Sequence, residues 1–307
     1  MKKLLLTPLM ILCCVAILFG QSYEFRTIAT KGDNQYHNGS EWKDLKTGEK
    51  ILKNGKVKIN KNSYAGLMHH SGKTIEIKTP GVYDVSKLES MIKSKATSYA
   101  SKYGNFVMNS SEESGQQYNV TGSVERGDPS DTKIMGTDKI SVIPEIPVTI
   151  TWMPELDTDA TYKVEVQNTF DEVQFSKETK NNSIELDLSS LDRNDEATHY
   201  IIVLYVNGEM IPKSNHKKIS FVDEKEADII KKEKAKLMEE LDPSTSPLDN
   251  LVMASFYDEH GLESYAISSI KNAHLLAPDV NDYNNHLTSY LAEKGILKKV
   301  EVEEGVK

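Results

Sequence analysis

Short runs in which apolar and polar residues alternate fill the first part of the chain. Examples are KVKIN and TIEIKT, and the runs are separated by GDN, NGS, KTGEK, KNG and SGK. A period of two is typical of half-buried strands, and clusters of Gly, Asn and Asp are typical of the turns between them. Residues 23–85 are therefore predicted to form a small antiparallel β domain built from hairpins.

The period changes over residues 86–108, where apolar residues recur every three or four positions. This spacing predicts one face of a helix, and Ser86 with Glu89 has the spacing of a capping box. We expect the helix to pack on the first β domain, which gives a unit spanning residues 21–110. The predicted apolar face consists of Leu88, Met91, Ile92, Tyr99, Tyr103 and Phe106.

Residues 111–144 are polar and rich in Ser, Gly and Asp, which predicts a linker region. Alternation returns over residues 145–222 in the runs PVTITW, TYKVEVQN, EVQFSKE, SIELDL, THYIIVLYVNG and KKISFV. Six short strands at this spacing favour a β-sandwich of the immunoglobulin or fibronectin type III kind. Trp152 and Tyr200 suit the core of that sandwich, as Trp42 suits the core of the first domain.

Residues 223–300 have helical periodicity, and 301–307 form a short tail. Pro243 and Pro247 predict the end of one helix and the start of another. The predicted fold class is thus multidomain, β followed by α. It comprises a small antiparallel β domain with a helix, a central β-sandwich and a C-terminal α-hairpin region.

The first domain has apolar, glycine and small residues in a recognisable order. They are Trp42, Leu45, Gly48, Leu52, Gly55, Val57, Ile59, Ser63, Ala65, Leu67, Gly72, Ile75 and Ile77. In this order the domain resembles, over about residues 24–85, the FecR-type domain, the extracytoplasmic β module of ferric-citrate regulators. That resemblance implies a β module outside the cytoplasm and allows a role in signalling. Such regulators carry a cytoplasmic anti-sigma segment and a membrane helix ahead of the module, whereas a signal peptide is expected there in this chain.

The C-terminal region contains Ala254, Tyr257, Gly261, Ala266, Ile270, Ala273 and Pro278, followed at a 34-residue period by Leu287, Leu291 and Gly295. In this spacing the region resembles a tetratricopeptide repeat. The small alanines allow close helix packing, and Gly261 suits the turn between the helices. In such repeats the first helix of each pair lines a groove for a partner protein. By position, the resemblance implies a partner-binding role for Ser255, Asp258, Glu259, Asn285, Ser289 and Glu293.

The first twenty residues have the pattern of a secretory signal peptide, with Lys2 and Lys3 ahead of a short apolar run. Cleavage after Gly20 is expected; an uncleaved anchor is the alternative. Cleavage would remove Cys13 and Cys14, the two cysteines of the chain, and make the formal net charge of −9 more negative. An acidic chain without a basic patch is a poor candidate for binding nucleic acid or anionic lipid. No later segment is apolar enough to span a membrane.

His69 and His70 stand side by side before Ser71-Gly72 and raise the question of a metal or catalytic site. Neighbouring residues on a strand point to opposite faces, so the two imidazoles are expected to diverge and to decorate a hairpin. The sequence contains no nucleophile elbow, phosphate loop, zinc helix or EF-hand loop. Catalytic, cofactor-binding and metal-binding residues are accordingly expected to be absent.

These features predict an exported, non-enzymatic protein of the periplasm or the bacterial cell surface. It would mediate protein–protein interaction or act as a scaffold in the cell envelope, with protein partners bound mainly by the helical region. Two alternatives remain open, namely a carbohydrate- or peptidoglycan-binding module and a FecR-like signalling component. An enzyme of unknown type is a further alternative, which a deep pocket with titratable groups would favour.

Overall fold

The computed structural model describes residues 23–92, 102–104, 107, 132–153, 160–193 and 199–296. The chain is mixed β and α, with several mainly antiparallel sheets followed by a C-terminal helical region. The predicted leader, the tail 301–307 and residues 111–131 of the predicted linker lie outside the described residues. Among the helices that are described, none has the length and apolar character needed to span a membrane.

The first β unit consists of two four-stranded sheets, with strand orders β4-β1-β6-β7 and β3-β2-β5-β8. Phe25, Val57 and Leu67 are fully buried in its core, as the alternating pattern predicts. Its strands are β1 Tyr23–Lys31, β2 Gln35–His37, β3 Trp42–Asp44, β4 Lys50–Leu52, β5 Lys56–Ile59, β6 Tyr64–His69, β7 Thr74–Ile77 and β8 Gly81–Asp84.

Helix α1 (Val85–Met91) follows β8 directly and packs on this core through Leu88. The predicted capping box is wrong: the helix begins one residue before Ser86, and the residue at its N-cap, Asp84, makes no side-chain capping bond. The prediction that Trp42 belongs to the core of the first domain is also wrong, because this residue is 41% exposed on the outer strand β3. Tyr99 and Phe106 lie outside the described residues.

The second β unit contains all six predicted strands and three more. A six-stranded sheet has the order β10-β17-β15-β12-β13 with β16 beside β15, and a three-stranded sheet has the order β14-β11-β9. Trp152 is fully buried and contacts Tyr162 of the other sheet, with ring centroids 5.0 Å apart. The strands are β9 Lys133–Ile134, β10 Lys139–Val142, β11 Val148–Met153, β12 Tyr162–Asn168, β13 Val173–Thr179, β14 Ser183–Leu186, β15 Tyr200–Val206, β16 Glu209–Met210 and β17 Lys217–Phe221.

Strands β9 and β10 lie within the segment 111–144 that its polar composition assigns to a linker. Ile140 and Val142 of β10 are buried, and the strand runs parallel to β17. The partner strand is far away along the chain, so local composition does not reveal the pairing. The second β unit therefore begins before residue 145.

Four helices follow: α2 Glu224–Met238, α3 Pro247–Glu259, α4 Glu263–Leu276 and α5 Asn281–Glu293. Their ends follow the sequence signals. The Ser246 side chain accepts a hydrogen bond from the Asp249 amide at the start of α3, and Pro247 occupies the first turn. Gly261, at a φ of 66°, makes the turn between α3 and α4. The predicted helix breaks are confirmed.

The helical region packs against the first β unit through α3 and α5. The hydroxyl oxygens of Tyr64 and Tyr283 are 2.6 Å apart, and the Asp282 carboxylate accepts a hydrogen bond from the Thr30 amide at 2.8 Å. Gly66 of β6 favours this close approach, since a Cβ there would lie 3.1 Å from the Tyr64 hydroxyl oxygen and 3.2 Å from a methyl group of Leu248. The first β unit and the C-terminal helices are thus packed together through hydrogen bonds and apolar contacts.

The same helices pack against the second β unit through α4. The Tyr265 hydroxyl donates a hydrogen bond to the Ile146 carbonyl at 2.9 Å, and the Thr137 hydroxyl lies 2.9 Å from the Glu263 carboxylate. A single apolar cluster extends from Ile28 in β1 to Leu291 in α5 by way of the second β unit. The helices therefore supply core to both β units.

His286 is buried in this interface, where its Nε2 lies 3.3 Å from the Ile28 carbonyl oxygen. Burial lowers the pKa of this imidazole below its usual 6.5, against the opposing effects of the Ile28 carbonyl and the Asp282 charge. The unfolded chain therefore takes up a proton near pH 6.5 that the folded chain does not. Stability from this residue is present above pH 6.5 and is lost as the pH falls through that value.

A His286→Gln variant should consequently show a shallower loss of stability with acidification than the native chain. Because each unit of pH is worth up to about 1.4 kcal/mol per differentially bound proton, the loss of stability between pH 7.5 and 5.5 should be smaller in the variant by up to about 1 kcal/mol. Urea unfolding at several pH values measures this difference. Comparing slopes removes the constant cost of the replacement, and identical slopes would contradict a neutral, buried His286.

Candidate functional site

His69 and His70 stand at the end of β6, where the chain turns into β7. The His69 amide donates to the Lys73 carbonyl at 2.7 Å, and Gly72 has a φ of 82° that closes the turn. A left-handed backbone conformation of this kind favours glycine. The predicted hairpin is confirmed.

The expectation that the two imidazoles diverge is wrong. Their ring centroids are 4.0 Å apart, and the rings lie on the same side of the hairpin. Strand β6 ends at His69, and His70 already belongs to the turn, so the alternation of a strand no longer applies to it. The two side chains therefore converge.

They converge on Glu24 of the neighbouring strand β1. The Oε2 atom of Glu24 lies 3.5 Å from Nε2 of His69 and 3.3 Å from Nε2 of His70. The backbone holds the same arrangement, because the His70 amide donates to the Glu24 carbonyl at 2.9 Å. Glu24, His69 and His70, called the β1–β6 cluster below, thus meet through strand pairing.

The β1–β6 cluster is partly shielded from solvent. The side chains of Glu24 and His69 are 12% and 13% exposed, whereas that of His70 is 56% exposed. The Phe25 ring packs edge-on against His69 with ring centroids 5.0 Å apart. The cluster is therefore closed on the side of the sheet and open on the side of His70.

Burial lowers the pKa of His69, and the neighbouring His70 lowers it further, while Glu24 and Glu89 act in the opposite direction. The ring is oriented by the turn, since Nδ1 of His69 lies 2.7 Å from the Ser71 hydroxyl. A neutral, oriented imidazole has a free ring nitrogen for a metal ion. Within the described parts of the chain, the β1–β6 cluster is the group of three or more His, Cys, Asp or Glu side chains whose ligand atoms are close enough to share an ion.

The residues implied in partner binding separate into two groups. Those on α3 are engaged within the protein: Ser255 is buried, Asp258 accepts a hydrogen bond from the Tyr290 hydroxyl at 2.6 Å, and Glu259 pairs with Lys102 at 2.6 Å. Lys294 also contacts Asp258, at 2.7 Å. These α3 residues join structural elements rather than line an open groove.

The residues on α5 lie at the surface. Asn285 and Glu293 are exposed, Ser289 is half-buried, and their spacing of four residues places them on one side of the helix. The opposite side, with Tyr283 and Leu291, is buried. Of the six implied residues, those on α5 are the ones arranged as a shared outer face.

Comparison of the chain with protein-family models, with curated proteins and with solved structures gives no match. The FecR-type and tetratricopeptide-type resemblances remain predictions from the residue pattern.

Proposed function

We propose that this protein is an exported, non-enzymatic component of the bacterial cell envelope that mediates protein–protein interaction or acts as a scaffold. The leader-like pattern of residues 1–20 supports export to the periplasm or the cell surface. The β units would serve as rigid supports, and the helical region would carry the contact surface. Because a fold type does not by itself define a function, the function must reside in particular surface residues.

The observation that carries the proposal is the pair of exposed leucines at the end of α4, the helix that precedes the polar outer face of α5. Leu275 and Leu276 are 62% and 40% exposed, and α5 begins five residues later at Asn281. Apolar side chains with a polar rim are typical of protein-binding surfaces. Because this surface stands on helices held between two β units, a partner would meet a preformed surface and its binding would order little of the chain.

We also propose fold assignments for the second β unit and for helices α3 to α5. We assign the second β unit to the immunoglobulin or fibronectin type III kind, because Trp152 fills the space between its sheets. In addition, the Tyr200 hydroxyl donates to the Asp192 carbonyl at 2.9 Å, as in a tyrosine corner. We assign helices α3 to α5 to tetratricopeptide-like hairpins, supported by buried Ala254 and Ala266 where α3 and α4 pack.

One observation favours the carbohydrate-binding alternative. Trp42 is 41% exposed, and an exposed indole can stack on a sugar ring. Its neighbour His37 lies at 5.4 Å with a tilt of 52°, so the two rings do not form a flat platform. We therefore place protein–protein interaction first and carbohydrate binding second.

The test uses site-directed cross-linking on the whole mature chain, whose sequence beyond residue 20 contains no cysteine. Asn285→Cys introduces a thiol on the α5 face, and Glu178→Cys introduces a matched, exposed thiol on β13. Each variant is coupled to a benzophenone maleimide and irradiated in envelope extract. A discrete protein adduct is expected from the α5 position and not from the β13 position.

Replacing Leu275 and Leu276 with glutamate in the Asn285→Cys background should abolish that adduct. An adduct that survives the double replacement, or one equally strong from β13, places recognition elsewhere and contradicts the proposed surface. Retention on isolated cell-wall glycan that is lost with Trp42→Ala, without any protein adduct, would favour the carbohydrate alternative.

A further inference from the structure

We propose that the β1–β6 cluster binds one divalent transition-metal ion, with Zn²⁺ as the ion that best fits its ligands. The cluster lies on the first β unit and is independent of the contact surface on α4 and α5. Its members are Glu24, His69 and His70, and their ligand atoms all lie within 4.8 Å of one another. Two imidazole nitrogens and one carboxylate oxygen form a ligand set that Zn²⁺ uses in proteins.

The two carboxylate–imidazole distances suit a tetrahedral ion. Ligand atoms about 2.0–2.1 Å from a tetrahedral Zn²⁺ are separated from one another by about 3.3–3.4 Å. Glu24 Oε2 is 3.5 Å from Nε2 of His69 and 3.3 Å from Nε2 of His70. The carboxylate therefore needs only small side-chain adjustments to share an ion with both rings.

The second nitrogen of His69, Nδ1, contacts two groups of Ser71: the backbone amide donates to it at 3.2 Å, and the hydroxyl lies 2.7 Å away. When Nε2 binds a metal, Nδ1 carries the proton and donates it to an acceptor. The Ser71 hydroxyl can accept this bond, and the Ser71 amide then gives up its bond to Nδ1. Ser71 thus acts as a positioning residue that holds the ring with Nε2 directed at Glu24.

The backbone fixes the ligands before any ion arrives. Glu24 and His69 lie on paired neighbouring strands, and the His70 amide is bonded to the Glu24 carbonyl. No loop has to close around the ion, so little conformational entropy is lost on binding. The half-exposed His70 opens the cluster to solvent, which allows the ion to enter and leaves a coordination position for water.

The ligand chemistry selects among ions. Imidazole ligands favour Zn²⁺, Cu²⁺ and Ni²⁺ over Mg²⁺ and Ca²⁺, which prefer sites built from oxygen atoms. A purely structural carboxylate–imidazole contact would have the same side chains without measurable affinity for the ion, and this difference is testable.

The test is a calorimetric titration of Zn²⁺ into the chain prepared without a polyhistidine tag. One ion per chain is expected, with affinity reduced by more than about tenfold in Glu24→Gln and in His70→Ala, since loss even of an outer-shell partner costs 10- to 100-fold. His199→Ala, which removes an exposed histidine of the second β unit, is the matched control and should bind like the native chain. Equal binding by the native chain and His70→Ala would overturn the proposal, as would the absence of one-to-one binding.

Electron paramagnetic resonance with Cu²⁺ gives a second measurement that does not depend on affinity. The native chain should show hyperfine coupling to two imidazole nitrogens, and His70→Ala should show coupling to one. Because His70 is half-exposed, its replacement is expected to leave the fold intact even if Glu24→Gln does not fold. Coupling that is unchanged in His70→Ala would place the ion elsewhere and contradict the assignment.

Discussion

Replacing Phe256 with alanine should lower the free energy of unfolding by about 3–5 kcal/mol. Phe256 lies in the C-terminal half of α3 and is fully buried. Its ring contacts Tyr103 at 5.2 Å, Tyr257 at 5.3 Å and His260 at 4.8 Å between centroids. Helix α3 is enclosed by other elements, so the surrounding structure cannot collapse into the space that the ring leaves.

Urea unfolding followed by circular dichroism measures this loss. The matched control is Ile229→Ala on α2, where the side chain is 55% exposed and its removal should change stability by no more than about 0.5 kcal/mol. A loss below about 1 kcal/mol for Phe256→Ala would show that the residues around Phe256 repack readily. That outcome would contradict an enclosed helix.

A chain that ends at Asp223 should fail to fold into a cooperative structure. It lacks helices α2 to α5, which cover apolar residues of both β units. In the first unit Ile28 and Met68 belong to the cluster shared with the helices, and in the second Ile143 does. Exposing these side chains removes burial worth about 25 cal/mol per Å² from a protein whose net stability is of the order of 5–15 kcal/mol.

Near-ultraviolet circular dichroism, dye binding and size-exclusion chromatography test this expectation, with a chain ending at Ile296 as the matched control because it keeps every described helix. The shorter chain should bind dye, lack near-ultraviolet signal and associate, while the control should behave as the full chain. Well-dispersed amide resonances from the shorter chain would instead show that the β units fold alone.

The local elements of this protein follow from its sequence. All six strands predicted over residues 145–222 are present, because alternation and turn residues are local signals. The starts of α2 and α3 follow from Asp223 and Ser246, whose side chains accept backbone amide bonds. Weaker signals misled: the pair Ser86 and Glu89 has capping-box spacing without forming the cap.

The candidate site shows where local reasoning ends. The neighbouring positions of His69 and His70 predicted divergent rings, because the alternation of a strand was assumed to include His70. The strand ends at His69, and His70 lies in the turn. Glu24 could not be connected with them at all, since its place beside His69 depends on the antiparallel register of β1 and β6. A charged residue one strand away in space is 45 positions away in sequence, and no periodicity links the two.

Most of the strands, the C-terminal helices, the turns between them and the acidic composition follow from the sequence, because these depend on residues close together along the chain. Strands β9 and β10, in the segment predicted to be a linker, do not. The tertiary structure alone decided that the helices form a shared core between two β units, that Ser255 is buried, and that Trp42 is exposed. It also decided that a carboxylate meets two imidazoles. The physical reason is that such contacts arise from strand register and packing between distant segments, which depend on the free energy of the whole fold.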